Sequence, residues 1–201
     1  MAKAEEQIME TDKAVAAANG NSDAIKQAVR AIGGKVDTYK LYSSIDGKVQ
    51  EAIKAGKNYG PVLEGETWKA SYLVSDVTAP ATFEFEVATV SNIIEANELV
   101  ETLKANGGDF TKLETAVDVA NETREMVKMN ESDAKNFIGK KVGDIFAYTY
   151  NHKPAVVKIT KLGDSDRFVL VANIEKSVKA SELTNRNIVN NVEKFIQEAG
   201  N

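Results

Sequence analysis

"NYGPVLEGETWKASYLV" (58–74) reads as a glycine and proline turn, a short arm near 59–63, a tip at "EGE" and a strand over 67–75. "DIFAYTYNHKPAVVKIT" (144–160) has the same build, with two apolar arms flanking a turn at "NHKP". Upstream of each hairpin the likeness continues. "DGKVQEAIKAGK" (46–57) and "DAKNFIGKKVGD" (133–144) each open on Asp and bring a Gly before the strand. Both landmarks recur at a spacing of 87 residues, from Asp46 to Asp133 and from Gly56 to Gly143. The helix stops "NGN" and "NGG" share that spacing, from Gly20 to Gly107. Three landmarks at one spacing predict a helix–helix–helix–hairpin unit written twice.

The remaining elements come from period and punctuation. Residues 4–18 are rich in Ala, Glu and Lys and predict a helix ended by "NGN". Ser22 or Asp23 is the expected cap of a second helix that stops at Gly33–Gly34. "DTYKLYSS" (37–44) reads as a short strand or an extended link, and 46–57 as a helix with Val49, Ala52 and Ile53 on one face. "TAPAT" (78–82) is the expected linker. "FEFEVATV" (83–90) alternates as a half-buried strand. Ser91 is the expected cap of a helix to about 105, with Ile93, Ala96, Val100 and Leu103 as its buried stripe. Helices are expected over 109–120 and 132–140, a strand over 167–178, and a last helix from Ser181.

The fold class read from this order is α+β: two units, each a small antiparallel sheet flanked by about three helices, plus a C-terminal strand and helix. The expected divisions are 1–77, 83–166 and 167–201. The first copy lacks a leading strand, and 167–201 resembles the start of a further copy. That imbalance predicts a segment of a longer protein.

Composition narrows the chemistry. The 201 residues include 25 basic and 30 acidic side chains, a formal net charge of -5. No Lys/Arg cluster offers the concentrated basic face that phosphate backbones need, so no nucleic-acid partner is expected. With no cysteine, disulfides, thiolate nucleophiles and Cys-zinc sites are excluded. No apolar run approaches the ~20 residues of a membrane span, so this segment is expected to make no membrane contact itself. The N-terminus lacks the apolar core of a signal peptide.

The order of strand, helices and Gly-preceded hairpin resembles the parvulin family of peptidyl-prolyl isomerases (rotamases). In that family the unit ends in a helix, a Gly with an apolar residue or Pro after it, a short strand, a turn, and a strand with an apolar pair before Lys. "GKNYGPVLEGETWKASYL" and "GDIFAYTYNHKPAVVKITKL" both resemble that ending, and "EANELVETLKANGGDFTKLETAV" (95–117) resembles the family's first helices. "RFVLVANIEKSVKASELTNRNIVNNVEKFIQEAGN" (167–201) resembles the strand after the parvulin unit in membrane-anchored periplasmic folding factors of the Bacteroidetes type. The resemblance implies a periplasmic or cell-envelope location. It implies prolyl cis/trans isomerisation, or chaperone-like binding of unfolded or extended polypeptides, with no metal and no cofactor. An isomerase must favour a twisted amide over a barrier of ~18–20 kcal/mol. The family does so with an apolar proline pocket of Met and Phe beside two histidines and a Cys or Asp.

This chain departs from that pattern. "FEFEVATV" has no His, Ala155 precedes the pair Val156–Val157, and Thr67 or Trp68 stands at the comparable point of the first copy. Ile145 and Asn58 occupy the Met position, and the one histidine, His152, falls at a hairpin tip. No catalytic residue is therefore carried over. The expected function is a non-catalytic folding-factor segment that binds polypeptide or scaffolds a larger chaperone. The alternatives are an active isomerase with an atypical pocket of Phe146, Tyr150 and His152, and a structural spacer.

Aromatic residues are the candidate peptide contacts: Phe146, Tyr148 and Tyr150 share one strand face, with His152 at the tip and Trp68 in the other hairpin. Either that face or the Ile145–Ala147 face should be core. In the first case the aromatics are buried, and in the second they form an outer strip suited to extended chains. His152 has no neighbours at metal-ligand spacing, and no G-x-S-x-G or phosphate-cradling glycine motif occurs.

Overall fold

A computed structural model describes residues 3–36 and 38–178. The fold is α+β, with helices packed on two antiparallel sheets. In chain order the elements are α1 (Lys3–Ala17), α2 (Ser22–Ala31), β1 (Lys35–Val36), β2 (Lys40–Leu41), a 3-10 turn (Tyr42–Ser44), α3 (Gly47–Lys54), β3 (Tyr59–Glu64) and β4 (Thr67–Pro80). Next come β5 (Thr82–Thr89), α4 (Ile93–Ala105), a 3-10 turn (Phe110–Lys112), β6 (Val119–Glu125), a 3-10 turn (Met126–Lys128), α5 (Glu131–Phe137), β7 (Ile145–Tyr150), β8 (Lys153–Leu162) and β9 (Ser165–Ser177). Among the described residues, 3–36, 42–76 and 169–178 form one compact unit, and 38–41 with 77–168 form a second.

The first sheet has the order β1-β9-β4-β3, and the second the order β6-β5-β8-β7. The two orders correspond: an edge strand after the long helix, a strand placed directly after the other unit's hairpin, then the hairpin itself. β5 comes directly after β4 yet lies in the second sheet, and β9 comes directly after β8 yet lies in the first. The leading strand that the first copy lacks in sequence order is thus supplied from downstream. Lys35 faces Asn173 and Val36 faces Ala172 across the antiparallel β1–β9 pair. Strand residues 169–177, expected to lead into a further unit, complete the first one instead. The helix expected from Ser181 lies outside the described residues.

Several local expectations are corrected. "TAPAT" is not a linker: β4 runs to Pro80 and β5 starts at Thr82. The backbone between them is held, because Ala81 N donates to Asp164 O (2.8 Å) and Met126 N donates to Ala81 O (2.9 Å). Pro80 sits at the end of its strand, where a missing N–H breaks no ladder. No helix spans 109–120. Asp109 caps a single 3-10 turn, and the chain then extends into β6, which pairs with β5 from Val119↔Ala88 to Glu125↔Thr82. Thr115, Val117 and Val119 are stiff, β-branched residues, and β5 needs a partner on that edge. The caps of α2 and α4 are Asn21 and Asn92, whose side chains accept from Ala24 N and Glu95 N at 2.9 Å each. Ile93, expected in the buried stripe of α4, is exposed, while Ala96, Val100 and Leu103 are buried.

The caps also reset the repeat. Asp46 caps α3 and Asn130 caps α5, a spacing of 84 residues. Asp133, three residues later, lies inside α5, so it is not the counterpart of Asp46.

Each unit has its own core. In the first, the buried apolar side chains come from α1 (Ile8, Val15), α2 (Ile25, Val29), β4 (Ala70, Tyr72, Val74) and β9 (Leu170, Ala172, Ile174). Tyr72 donates its hydroxyl to Asp12 Oδ1 of α1 (3.0 Å), which shows which sheet face α1 covers. In the second unit α4 covers one face through Ala88, Ala96, Val100, Leu103, Phe110, Ile145 and Val156. The other face is sealed by α5, whose Phe137 ring lies 5.2 Å from Phe83, 5.1 Å from Phe85, 5.5 Å from Phe146 and 5.4 Å from Tyr148.

Phe137→Ala is expected to lower unfolding free energy by about 3–5 kcal/mol, because a fully buried ring leaves a cavity its neighbours cannot fill. Chemical denaturation checks this. Ending the chain at Phe168 is expected to abolish the dispersed amide signals of β1, β3 and β4 while those of 82–162 persist. Retention of the β3–β4 signals in such a chain would count against β9 as a required strand.

Candidate functional site

Strand alternation divides β4 into two sides. Ala70 and Tyr72 face α1, so Lys69 and Ser71 point to the opposite side. On β9, Ala172 and Ile174 are buried, and Asn173 and Glu175 alternate with them. The two strands meet in a polar pair: Ser71 Oγ donates to Asn173 Oδ1 at 2.6 Å.

This polar face is the floor of a cavity of about 520 Å³. That is within the range of small-ligand and peptide pockets. Gly33, Gly34 and Lys35, just beyond α2, form one wall. Asp46, Lys48 and Val49 at the start of α3 form another, and Tyr59 and Glu64 of β3 a third. Tyr59 and Glu64 are an odd number of residues apart, so a regular strand would send them to opposite faces. A register shift between Tyr59 and Val62 brings both to the cavity. Gly60 makes that shift possible: it has φ +79, and a Cβ there would collide with the Lys69 carbonyl.

The electrostatics centre on Glu64. Its Oε2 accepts from the Tyr59 hydroxyl and from Lys48 Nζ (3.4 Å), and Lys69 Nζ stands 3.4 Å from Oε1. The Tyr59 hydrogen bond, and after it Lys48, holds the Glu64 carboxyl below its ordinary range. The same hydrogen bond is the first cause that pushes the Tyr59 phenol from 10.0 up to about 12. Such a donor set holds an anion or hydrogen-bonds a peptide backbone. The residues that line the cavity include the aliphatic Val49 and Ile174 and neither His nor Cys.

The corresponding face of the second unit is closed. Phe83, Phe85, Phe137 and Tyr148 are buried where the first unit has its cavity. Of the expected peptide contacts, Tyr148 is thus 5% exposed and part of the aromatic core. Its phenol is pushed up to about 12, first by burial and then by Asp133. Phe146 is half-buried between Phe137 and Lys140, whose Nζ is 4.6 Å from the ring centroid. Tyr150 is half-buried under the Arg124 guanidinium, 5.7 Å from its ring. His152 is exposed at the hairpin tip with φ +66. Trp68 is half-buried on β4 of the first unit, opposite Leu63. Ile145 packs in the α4 core, Phe146 and Tyr148 pack on Phe137 of α5, and Tyr150 lies against Arg124, so the three β7 aromatics do not form a fully exposed strip. Ala155 is fully buried, and Asn58 Oδ1 accepts from Leu73 N at 3.4 Å.

Comparison with protein-family models, curated proteins and solved structures finds no match for this chain. Among the described residues no three His, Cys, Asp or Glu side chains are placed to hold a metal ion, and no helix is long and apolar enough to cross a membrane.

The cavity residues Lys48, Tyr59, Glu64, Lys69, Ser71 and Asn173 do not stand out in sequence. One signal is there: Ser71 and Asn173 are polar residues within the otherwise apolar runs "ASYLV" and "FVLVANI".

Tyr59 has a raised pKa in the folded state, so its contact with Glu64 contributes fully below pH about 10 and is lost as pH rises through about 12. On the acid side Glu64 is depressed, so the contact is present above its ordinary value of 4.5 and lost as pH falls through the folded value. Titration of phenolate absorbance is expected to show a late component, to which Tyr59 and Tyr148 both contribute, that Tyr59→Phe reduces by one phenol. An unchanged late component in that variant would exclude the contact.

Proposed function

We propose that this chain is part of a folding factor of the parvulin-like kind, with two units of that type, of which the first holds unfolded or extended polypeptide and the second is a closed structural copy. The observation that carries the reading is the contrast between corresponding sheet faces. One is sealed by Phe83, Phe85, Phe137 and Tyr148, and the other is a polar cavity of about 520 Å³. The shared order of strands in the two sheets supports a duplicated unit.

The chemistry of the cavity favours holding over turning. Ser71, Asn173, Tyr59 and three ammonium groups offer hydrogen bonds and charge to a polypeptide without selecting proline. A peptidyl-prolyl isomerase would need a site that favours a twisted amide, whereas most residues that line this cavity are charged or hydrogen-bonding, with Val49 and Ile174 as its aliphatic side chains. The natural ligands on this reading are unfolded envelope proteins in the periplasm. Linked weak sites elsewhere in a longer protein would add to affinity through effective concentration.

Titration of the ¹⁵N-labelled chain with two peptides, one with proline and one without, tests the reading. Both are expected to shift the amides of Lys48, Tyr59, Glu64, Lys69 and Ser71 to similar degrees. Exchange spectroscopy on the proline peptide is expected to show no faster cis/trans interconversion. Catalysed exchange, with shifts centred on Phe146, Tyr150 and His152, would establish the active-isomerase alternative. No shifts from either peptide would reduce the chain to a spacer.

A further inference from the structure

Three donors from three different elements converge on one carboxylate. Lys48 of α3 approaches Glu64 Oε2 and Lys69 of β4 approaches Oε1, so the ammonium groups stand on either side of the carboxylate. The Tyr59 hydroxyl of β3 completes the set. A third cation, Lys35, is on the cavity wall.

Glu64 stands at the end of a hairpin arm. It is the last residue of β3, beside the two-residue tip Gly65–Glu66, with Gly65 at φ +64. Its side chain remains 27% exposed, and those of Lys48 and Lys69 are 64% and 38% exposed. Ion pairs this wet hold weakly and exchange readily. Rotation about the Glu64 side-chain bonds would carry its carboxylate out of the cradle while the donors stayed on their helix and strands. Two other acids line the cavity: Asp46, whose Oδ1 accepts from Lys48 N at the α3 cap (2.9 Å), and Glu175, exposed on β9.

We propose that Tyr59, Lys48 and Lys69 form a carboxylate-binding cradle, that Glu64 occupies it in the absence of ligand, and that an acidic side chain or C-terminal carboxylate of the bound polypeptide displaces Glu64. The proposal rests on the cavity being the polypeptide site, and it names the group that the site grips. The cradle makes the first unit selective for acidic segments or chain ends, and Glu64 keeps the cavity neutral and weakly competitive until such a group arrives.

The test uses the full chain and three short probes: acetyl-Ala-Glu-Ala-amide, acetyl-Ala-Ala-Ala with a free C-terminus, and the uncharged acetyl-Ala-Gln-Ala-amide. Affinities are read from amide shifts of the cavity residues. At least one carboxylate peptide is expected to bind more tightly than the Gln peptide, and comparison of the two identifies the source of the carboxylate. Glu64→Gln is expected to raise affinity for the carboxylate peptide roughly threefold to tenfold, by removing the internal competitor. Lys69→Met, which keeps the stem and removes the charge, is expected to lower it by a similar factor. Amide spectra of both variants report on folding.

Equal binding of the Gln and carboxylate peptides would overturn the cradle and leave the polypeptide-holding reading intact. Unchanged or weaker binding in Glu64→Gln would overturn the displacement. No binding of any probe to the wild type or to Glu64→Gln would overturn both the cradle and the reading on which it rests.

Discussion

β9 lies inside the first sheet, with β1 on one edge and β4 on the other. A strand in that position pairs with neighbours on both sides, and removing it would expose edges of both. The central strand of the first unit comes from residues after Val169, beyond the whole second unit. The first unit therefore cannot be completed until the chain has passed through the second and returned. The cavity inherits this dependence, because Asn173 of β9 accepts the hydrogen bond of Ser71 and forms part of its floor.

Two sheets with the same order of strands have come to opposite ends. In the second unit α5 carries Phe137, and four further aromatic rings lie within reach of one another around it. Packing of that kind excludes water and leaves no space for a ligand. In the first unit the same layer contains Lys, Glu, Ser, Asn and Tyr, which satisfy each other in pairs around a water-accessible volume. The difference comes from side-chain chemistry on a shared backbone plan. Both arrangements are stable, since stability asks only that each face be either covered by apolar groups or satisfied in hydrogen bonds.

Much of the local structure is legible in sequence because it depends on period and punctuation. The hairpins of 59–80 and 145–162, the alternation of "FEFEVATV" and the short helices α3 and α5 all come from such patterns. Segment 109–120 reads as a helix because its composition tolerates one, but it makes only a single 3-10 turn before its end is drawn into pairing with β5. "TAPAT" reads as a linker for a similar reason. Proline marks a break in isolation, but here it ends one strand where the next begins, with hydrogen bonds to Met126 and Asp164 holding the junction. The repeat is visible, though its landmarks are offset: helix caps recur at 84 residues and the Asp and Gly pairs at 87.

By itself, the sequence determined the class of fold, the two hairpins and the absence of any cysteine chemistry, because these depend on near neighbours and on composition. It also determined that the aromatics of β7 share a face, since strand geometry has a period of two. Only the tertiary structure decided that this face is sealed by Phe137, that β9 returns to the first sheet, and that Lys48, Tyr59, Glu64 and Lys69 gather around one carboxylate. Those outcomes depend on pairing between strands about a hundred residues apart and on a register shift inside β3. Neither leaves a periodic trace in the chain, so neither could be read before the strands were in place.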